Sequence, residues 1–320
     1  MPVDPLIAPL LAAVNARQEQ VPVHVPVDVP VDVAERRKAM DAGKADGGAY
    51  AEFVEDEPAV AEIWEEKIPG PDITVRVYRP APSTPGAMVL YHGGGWWMGS
   101  PDDSDRRARA IAGRAGVTVV NVDYRLAPEF PFPTPAEDAY EALAWTVAQA
   151  DRLGFDPARV AVGGESAGGN LAAAVCLLAR ERGGPAPVLQ VLEIPALDLT
   201  LGSPSVKSYG QGYVLSEAEL RWCVRNYLGD HDPADPIASP LHAPDLTGLP
   251  PALILTAECD PIAGDGRRYA DRLGAAGVPV TFREFAGHVH GSHTLTALLP
   301  SAREWRAAVV DAVVSEVTHA

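Results

Sequence analysis

Seven residues near the middle of the chain constrain it most: Gly163-Gly164-Glu165-Ser166-Ala167-Gly168-Gly169. An apolar stretch, Arg159-Val160-Ala161-Val162, runs into them, and a helical pattern starting near Asn170, Leu171-Ala172-Ala173-Ala174-Val175, runs out. Inside lies Gly164-Glu165-Ser166-Ala167-Gly168, a Gly-x-Ser-x-Gly pattern. Between a strand and a helix this pattern makes a nucleophile elbow. The serine sits on a strained turn, and its neighbours must be small because the two backbone arms nearly touch. The bare pattern is common, and its plainer reading is a glycine-rich loop capping a helix with serine. The strand–turn–helix setting favours the elbow.

An elbow needs a sheet to stand on, and the flanking chain supplies one. Residues 63–68 and 73–78 alternate apolar and polar around Pro69-Gly70-Pro71-Asp72, which predicts a hairpin. Apolar strands are predicted at 87–91, 117–122, 159–162, 189–194, 252–256 and 278–285, separated by helices near 103–114, 136–151, 170 onward and 266–276. A closing helix runs from about Thr294 to Val317, interrupted near Pro300. Strands alternating with helices predict an α/β fold with a mostly parallel sheet covered on both faces. The rhythm breaks over residues 200–240, where one helix near Ser216–Tyr227 is announced by Ser216-Glu217-Ala218-Glu219. This stretch reads as an insertion above the sheet, dividing the core into 51–199 and 241–320.

The first 50 residues stand apart. Leu6, Leu10, Leu11 and Val14 share one face of a short helix over 6–19. A repeat follows, Val21-Pro22-Val23-His24, Val25-Pro26-Val27-Asp28 and Val29-Pro30-Val31-Asp32. Proline at every fourth position forbids a regular helix, so the segment is extended; a disordered linker is one reading, and the alternating valines favour a segment lying against an apolar surface. A polar helix over Ala34 to Ala42 comes next, and Gly43 to Gly48 is loose.

The 320 residues, 47% hydrophobic, allow a large core, and the net charge of −17 repels phosphates and anionic lipid. Nucleic acid and membrane surfaces are therefore poor partners. Three cysteines, Cys176, Cys223 and Cys259, are odd in number and lack metal-ligand spacing. A disulfide framework is not expected, and a cytoplasmic setting is. The first ten residues lack the basic start of a signal peptide, and no apolar run is long enough to span a membrane.

A serine hydroxyl is a weak nucleophile and needs a base, usually histidine, oriented by a carboxylate. In this architecture the order is Ser, Asp or Glu, then His, each at the carboxyl end of a strand. After the strand 252–256 come Glu258 and Asp260. Asp260, in Asp260-Pro261-Ile262, lies further into the loop and is the better acid; Asp265 starts a helix and is placed to cap it. After the strand 278–285 come His288, His290 and His293. Three close histidines raise the thought of a metal, but no cysteine or carboxylate has companion spacing. His290, followed by Gly291, is favoured over His288 as the base. Oxyanion donors are expected from the N–H after the nucleophile, Ala167, and from the loop Tyr91-His92-Gly93-Gly94-Gly95-Trp96-Trp97. A phosphate loop is the other reading of those glycines, but the Gly-Lys-Ser/Thr ending is missing.

With these groups placed, the chain resembles the hormone-sensitive-lipase-like family of bacterial carboxylesterases, of the α/β-hydrolase fold. The residues that carry the resemblance are His92-Gly93-Gly94-Gly95-Trp96, Asp123-Tyr124-Arg125-Leu126-Ala127-Pro128-Glu129, Gly164-Glu165-Ser166-Ala167-Gly168-Gly169-Asn170, Asp260-Pro261-Ile262 and His290-Gly291. The resemblance implies a triad of Ser166, Asp260 and His290, with oxyanion donors at Gly93, Gly94 and Ala167. It implies that His92 and the 123–129 stretch are structural braces, and that residues 1–50 and 200–240 form a cap, with the valine–proline repeat across the mouth of the site. Three residues depart from the family's pattern. Glu165 stands where the family has aspartate or a small residue, and Gly264 where a second acid is frequent. Ser292 replaces a phenylalanine after His-Gly, a loss expected to enlarge one side of the site, with Trp96 and Trp97 refilling it.

The expected reaction is hydrolysis of short-chain soluble esters, acetyl to about hexanoyl, through an acyl-enzyme at Ser166, with no metal or organic cofactor. Trp96, Trp97, Tyr209 and Tyr213, with Phe130 and Trp222, are candidates for the pocket wall. An amidase, deacetylase or aryl-formamidase would use the same triad. A non-catalytic small-molecule receptor on a hydrolase scaffold is the rival of another class, and the presence of all three triad residues argues against it. The strand 278–285 comes last in the sheet, and pairing of two such edges would give a homodimer.

Overall fold

The computed structural model describes residues 3–20, 32–44 and 51–318. The chain begins with α1 (Ala8–Gln20) and α2 (Val33–Lys44), followed by β1 (Glu62–Ile68), β2 (Ile73–Arg79), β3 (Ala87–Tyr91), α3 (Asp105–Ala115) and β4 (Thr118–Asp123). It continues through α4 (Thr134–Ala148), α5 (Ala150–Leu153), β5 (Val160–Glu165), α6 (Ala167–Arg182) and β6 (Leu189–Glu193). Then come α7 (Pro204–Tyr209), α8 (Glu217–Leu228), β7 (Ala252–Cys259), α9 (Ala263–Ala275), β8 (Val280–Val289) and α10 (Pro300–Val313).

Among the described residues, eight strands form one sheet in the order β1-β2-β4-β3-β5-β6-β7-β8. The β1–β2 hairpin is antiparallel, β2 joins β4 antiparallel, and all later pairings are parallel. The central strands β3 and β6 are buried at every position, as a sheet covered on both faces requires. Leu143 of α4, Leu171 and Val175 of α6 and Tyr269 of α9 pack on one face. Ile111 of α3 and Trp305, Val309 and Val313 of α10 pack on the other. No helix among the described residues is long and apolar enough to cross a membrane.

Four helices lie outside these layers. The buried anchors here are Ile7, in the turn just before α1, and Leu11 within it, which meet Cys259, Val289 and Leu295. Leu6, expected on that face, is 47% exposed because the helix starts only at Ala8 and the turn ahead of it buries Ile7 instead. α2 starts on Asp32, whose carboxylate accepts the N–H of Ala34 at 2.9 Å and of Glu35 at 3.1 Å. The valine–proline stretch 21–31 and the loose end 45–48 lie outside the described residues. α8 starts as expected on Ser216, which accepts the Glu219 N–H at 3.1 Å. The short helix α7 has no strong periodicity and was not expected from the pattern.

Candidate active site

The turn after β5 holds Ser166 at φ 53°, ψ −117°, a backbone conformation unusual for a side-chain-bearing residue. A Cβ on Gly164 would lie 2.3 Å from the Gly168 carbonyl, and one on Gly168 would lie 2.1 Å from the Tyr91 carbonyl oxygen. Both contacts are with backbone, which cannot yield, so glycine is required on each arm. The helix α6 starts at Ala167 rather than near Asn170: Gly168 and Gly169 are poor helix formers in isolation, but the close packing on β3 holds them in the first turn. Asn170 ties that turn to the loop beyond β6, donating to the Ala196 and Ala238 carbonyls at 2.8 Å each.

Asp260 and His290 meet through strand register. β7 and β8 run parallel, and their last pair is Cys259 opposite Val289, so the next residue of each leaves side by side. The ladder slips between Ala257 and Cys259, and the intervening Glu258 turns to accept the Gly287 N–H at 2.8 Å. The Asp260 carboxylate, fully buried, lies 2.7 Å from His290 Nδ1 and accepts the Ile262 N–H at 3.0 Å. His290 Nε2 lies 3.1 Å from Ser166 Oγ. A carboxylate can only accept, so Nδ1 carries the proton and Nε2 is left to receive one from the serine. Burial alone would depress the His290 imidazolium. The charge and hydrogen bond of Asp260, with the charges of Glu165 and Glu219, outweigh burial and hold the imidazolium above its ordinary value of 6.5.

The loop after β3 carries Gly93 and Gly94, and Ala167 is the first residue of α6, where the N–H has no intrahelical partner. Gly94 has φ 115°, and a Cβ there would lie 2.2 Å from the Met98 carbonyl oxygen. His92 braces the loop. Its Nδ1 donates to the Gly93 carbonyl at 2.7 Å and its ring stacks on Tyr124 at 4.2 Å. Tyr124 in turn donates its hydroxyl to the His92 carbonyl at 2.9 Å. In the 123–129 stretch, the Arg125 side chain grips Asp138 at 2.6 and 2.9 Å.

The other two histidines have separate partners. His288 lies between the Ser301 and Ser292 hydroxyls, both at 2.8 Å, and burial followed by the His293 charge pushes it down to about 4. Ser292 also accepts the Val289 N–H at 3.1 Å, closing the turn behind His290. Its side chain therefore points into the fold, which corrects the expectation that it opens the pocket. His293 Nε2 donates to Glu165 at 3.0 Å. Behind the elbow, Arg107 pairs closely with Glu193, with its other terminal nitrogen 3.8 Å from Glu165, and Trp305 donates to Glu193 at 2.8 Å. Burial opposes ionisation of Glu165, but the His293 hydrogen bond and charge, then Arg107 and His290, draw it down to about 2. The sequence assigns no role to Arg107 and Glu193, and shows His293 only as one of three close histidines, without its carboxylate partner. The one signal for that pair was Glu193 itself, the only charge in a fully buried strand.

The remaining acids and aromatics also have definite places. Asp265 does not cap α9: its carboxylate accepts the N–H groups of Leu197 and Asp198 at 3.1 Å each and the Ser203 hydroxyl at 2.5 Å, tying α9 to the chain leaving β6. Burial pushes it up to about 7, the Ser203 bond opposing and the Asp198 charge adding. Trp96 stacks on Tyr227 at 4.4 Å, and Trp97 meets Trp222 edge-on at 4.9 Å. Both indoles are only 2% exposed, so they join the loop of Gly93 and Gly94 to α8 instead of filling space beside Ser292. Tyr209 and Tyr213 form an edge-to-face pair at 5.1 Å beside Cys259 and Val289. Phe130 is exposed beneath the Arg125 guanidinium, 5.0 Å away.

A sheet of this order, with a serine on the elbow after a central parallel strand and an acid and a histidine after the last two strands, defines the α/β-hydrolase class. Known proteins agree. A family described as the alpha/beta hydrolase fold matches residues 88–294. The carboxylic ester hydrolase LipN of Mycobacterium tuberculosis is 44% identical over 261 residues, covering 78% of this chain and 69% of that protein. The ethyl acetate hydrolase of Pseudomonas putida is 39% identical over 285 residues, 87% of each chain. Among solved structures, a hyperthermophilic esterase from the archeon Pyrobaculum calidifontis superposes with a TM-score of 0.87 at 36% identity, over 100% of both chains. The chain belongs to the α/β-hydrolase family, in its hormone-sensitive-lipase-like branch of carboxylic ester hydrolases.

Proposed function

We propose that this chain is a serine carboxylesterase that hydrolyses short-chain soluble esters, acetyl to about hexanoyl, through an acyl-enzyme at Ser166. The observation that carries the reading is the relay Ser166 Oγ, His290 Nε2, His290 Nδ1, Asp260, with links of 3.1 and 2.7 Å. Ser166 Oγ attacks the ester carbonyl while His290 Nε2 takes its proton, and Asp260 steadies the imidazolium. The N–H groups of Gly93, Gly94 and Ala167 bind the oxyanion, each donor contributing ~3 kcal/mol by the usual scale of such contacts. His290 returns the proton to the departing alcohol, then deprotonates the water that cleaves the acyl-serine.

Residues 1–50 and 200–240 act as the cap over this site. The ion pair between Arg36 of α2 and Glu219 of α8, at 3.1 Å, supports that reading because it joins the two parts. Tyr209 and Tyr213 contribute to the acyl or alcohol wall, and Trp96 and Trp97 serve the site through the loop that carries Gly93 and Gly94. The relative named for ethyl acetate, a two-carbon acyl ester, supports the short end of the range. The edge strand β8 offers a surface for a homodimer, and a monomeric mass in solution would remove that part of the proposal.

The test uses a fluorophosphonate probe and a p-nitrophenyl ester series. The native chain is expected to label at Ser166 and to turn over the acetyl-to-hexanoyl esters fastest. Ser166→Ala should stay folded and do neither. Near-normal turnover by that variant would overturn the mechanism, and preference for long-chain emulsions would overturn the substrate range.

A further inference from the structure

We infer that Arg37, on α2, is a positioning residue for the oxyanion loop and that docking of α2 sets the aim of the Gly93 and Gly94 N–H groups. This rests on the reading that those groups bind the oxyanion. The loop turns on left-handed backbone conformations. Gly94 and Gly95 have φ of 115° and 58°, and Trp96, between them and the rest of the turn, also has a positive φ of 62°. Glycine reaches such conformations without penalty but is not confined to them, so the direction of these N–H groups depends on the contacts around the loop: the His92–Tyr124 brace, the Trp96–Tyr227 stack and what α2 adds to them.

Arg37 supplies a restraint from the cap side. Its Nε donates to the Trp97 carbonyl at 2.8 Å, and one terminal nitrogen donates to the Ala127 carbonyl at 3.1 Å. Both terminal nitrogens donate to the Glu129 carboxylate at 3.0 Å, which fixes the plane of the guanidinium. The held segment is continuous with the donors: the N–H groups of Trp97 and Met98 both donate to the Gly94 carbonyl, at 3.2 and 3.1 Å, and the Ala127 N–H donates to the Trp96 carbonyl at 2.9 Å. Arg37 thus spans the loop and the 123–129 stretch, which are already tied to each other. Its neighbour Arg36 lies over the rings of Trp97 and Trp222, at 5.0 and 4.5 Å, and Val33 is buried against the same pair. Three residues of one helix, Val33, Arg36 and Arg37, therefore fall on the turn that follows the donors, from a segment remote in sequence.

A structural role alone and a positioning role predict different kinetics. Misplacing donors by ~1 Å costs on the order of 100-fold, and the loss falls on the transition state because the oxyanion forms only there. With Arg37→Ala, kcat per titrated serine should fall roughly 10- to 100-fold while KM changes less than about threefold. Arg37→Lys keeps the charge without the planar fork and should recover only part of the rate. Glu129→Gln, which loosens the fork while leaving Arg37 in place, should fall between native and Arg37→Ala. Each protein is labelled to completion with a fluorophosphonate, so rates are counted per reactive Ser166 and any misfolded fraction drops out. Native kcat per labelled site in Arg37→Ala would overturn the inference, leaving Arg37 as a helix anchor. A rise in KM at constant kcat would overturn it too, making Arg37 a substrate contact. A native chain that turns over ester but does not label at Ser166 would instead refute the acyl-enzyme reading, and this inference with it.

Discussion

Replacing Glu165 with glutamine should destabilise the protein by about 2–3 kcal/mol at neutral pH, and the structure indicates both the amount and its pH window. The carboxyl is drawn from 4.5 to about 2 despite its burial. Such a depression is equivalent to about 3 kcal/mol of stability. A carboxyl with a lowered folded value contributes in full above its unfolded value, near 4.5, and loses that contribution as pH falls through about 2. Glutamine keeps the length and can still accept from His293, but it gives up the charge. The larger penalty for stranding a buried cation, about 3–5 kcal/mol, should not appear, because Arg107 keeps its close pair with Glu193. In urea, with tryptophan fluorescence as the signal, the midpoint should drop by roughly 1 M for a chain of this size. The gap between native and variant should shrink as pH is lowered from 7 toward 3. The same charge helps hold up the His290 imidazolium, so the acid limb of kcat/KM should move to lower pH in the variant. Equal stability at pH 7, or a gap that persists unchanged in acid, would refute the reasoning.

Other consequences are simpler to check. Asp260→Asn should lower kcat by about 10⁴-fold, since the amide favours the wrong imidazole tautomer, and stopped assays at high enzyme concentration can read that loss. In the proposed mechanism His290 must be neutral to take a proton, and its raised value puts the acid limb of kcat/KM above 6.5, with activity lost as pH falls through it; a limb below 6.5 would contradict the site's electrostatics. Gly168→Ala should yield little folded protein by circular dichroism, because the new methyl meets the Tyr91 carbonyl oxygen at 2.1 Å. Ser216→Ala should cost about 1 kcal/mol in thermal unfolding through loss of the α8 cap, with kcat per titrated site unchanged.

The features legible in the chain were those written in local chemistry. The elbow demands small residues two positions either side of Ser166, and Gly164 and Gly168 stand there because backbone meets backbone. Asp260 and His290 could be placed because each follows a strand by a short step, and the hairpin and the Ser216 cap because their signals span a few residues. What was misread was also local. Asp265 looks like a helix cap and binds the chain beyond β6 instead. Ser292 looks like a gap in the pocket and instead closes the turn after β8.

The sequence by itself determined the class of sheet and singled out Ser166, with the order in which an acid and a histidine follow it, since hydrophobic period and turn chemistry act between neighbours. Only the tertiary structure decided who meets whom across the fold. The Cys259–Val289 register joins Asp260 to His290, and β5 lying beside β6 brings Glu165 and Glu193 to the same end of the sheet, near Arg107 of α3. The docking of α2 puts Arg37 on the Trp97 carbonyl, 60 positions along the chain. These pairings depend on strand register and on the packing of separated elements, and no spacing along the chain encodes either.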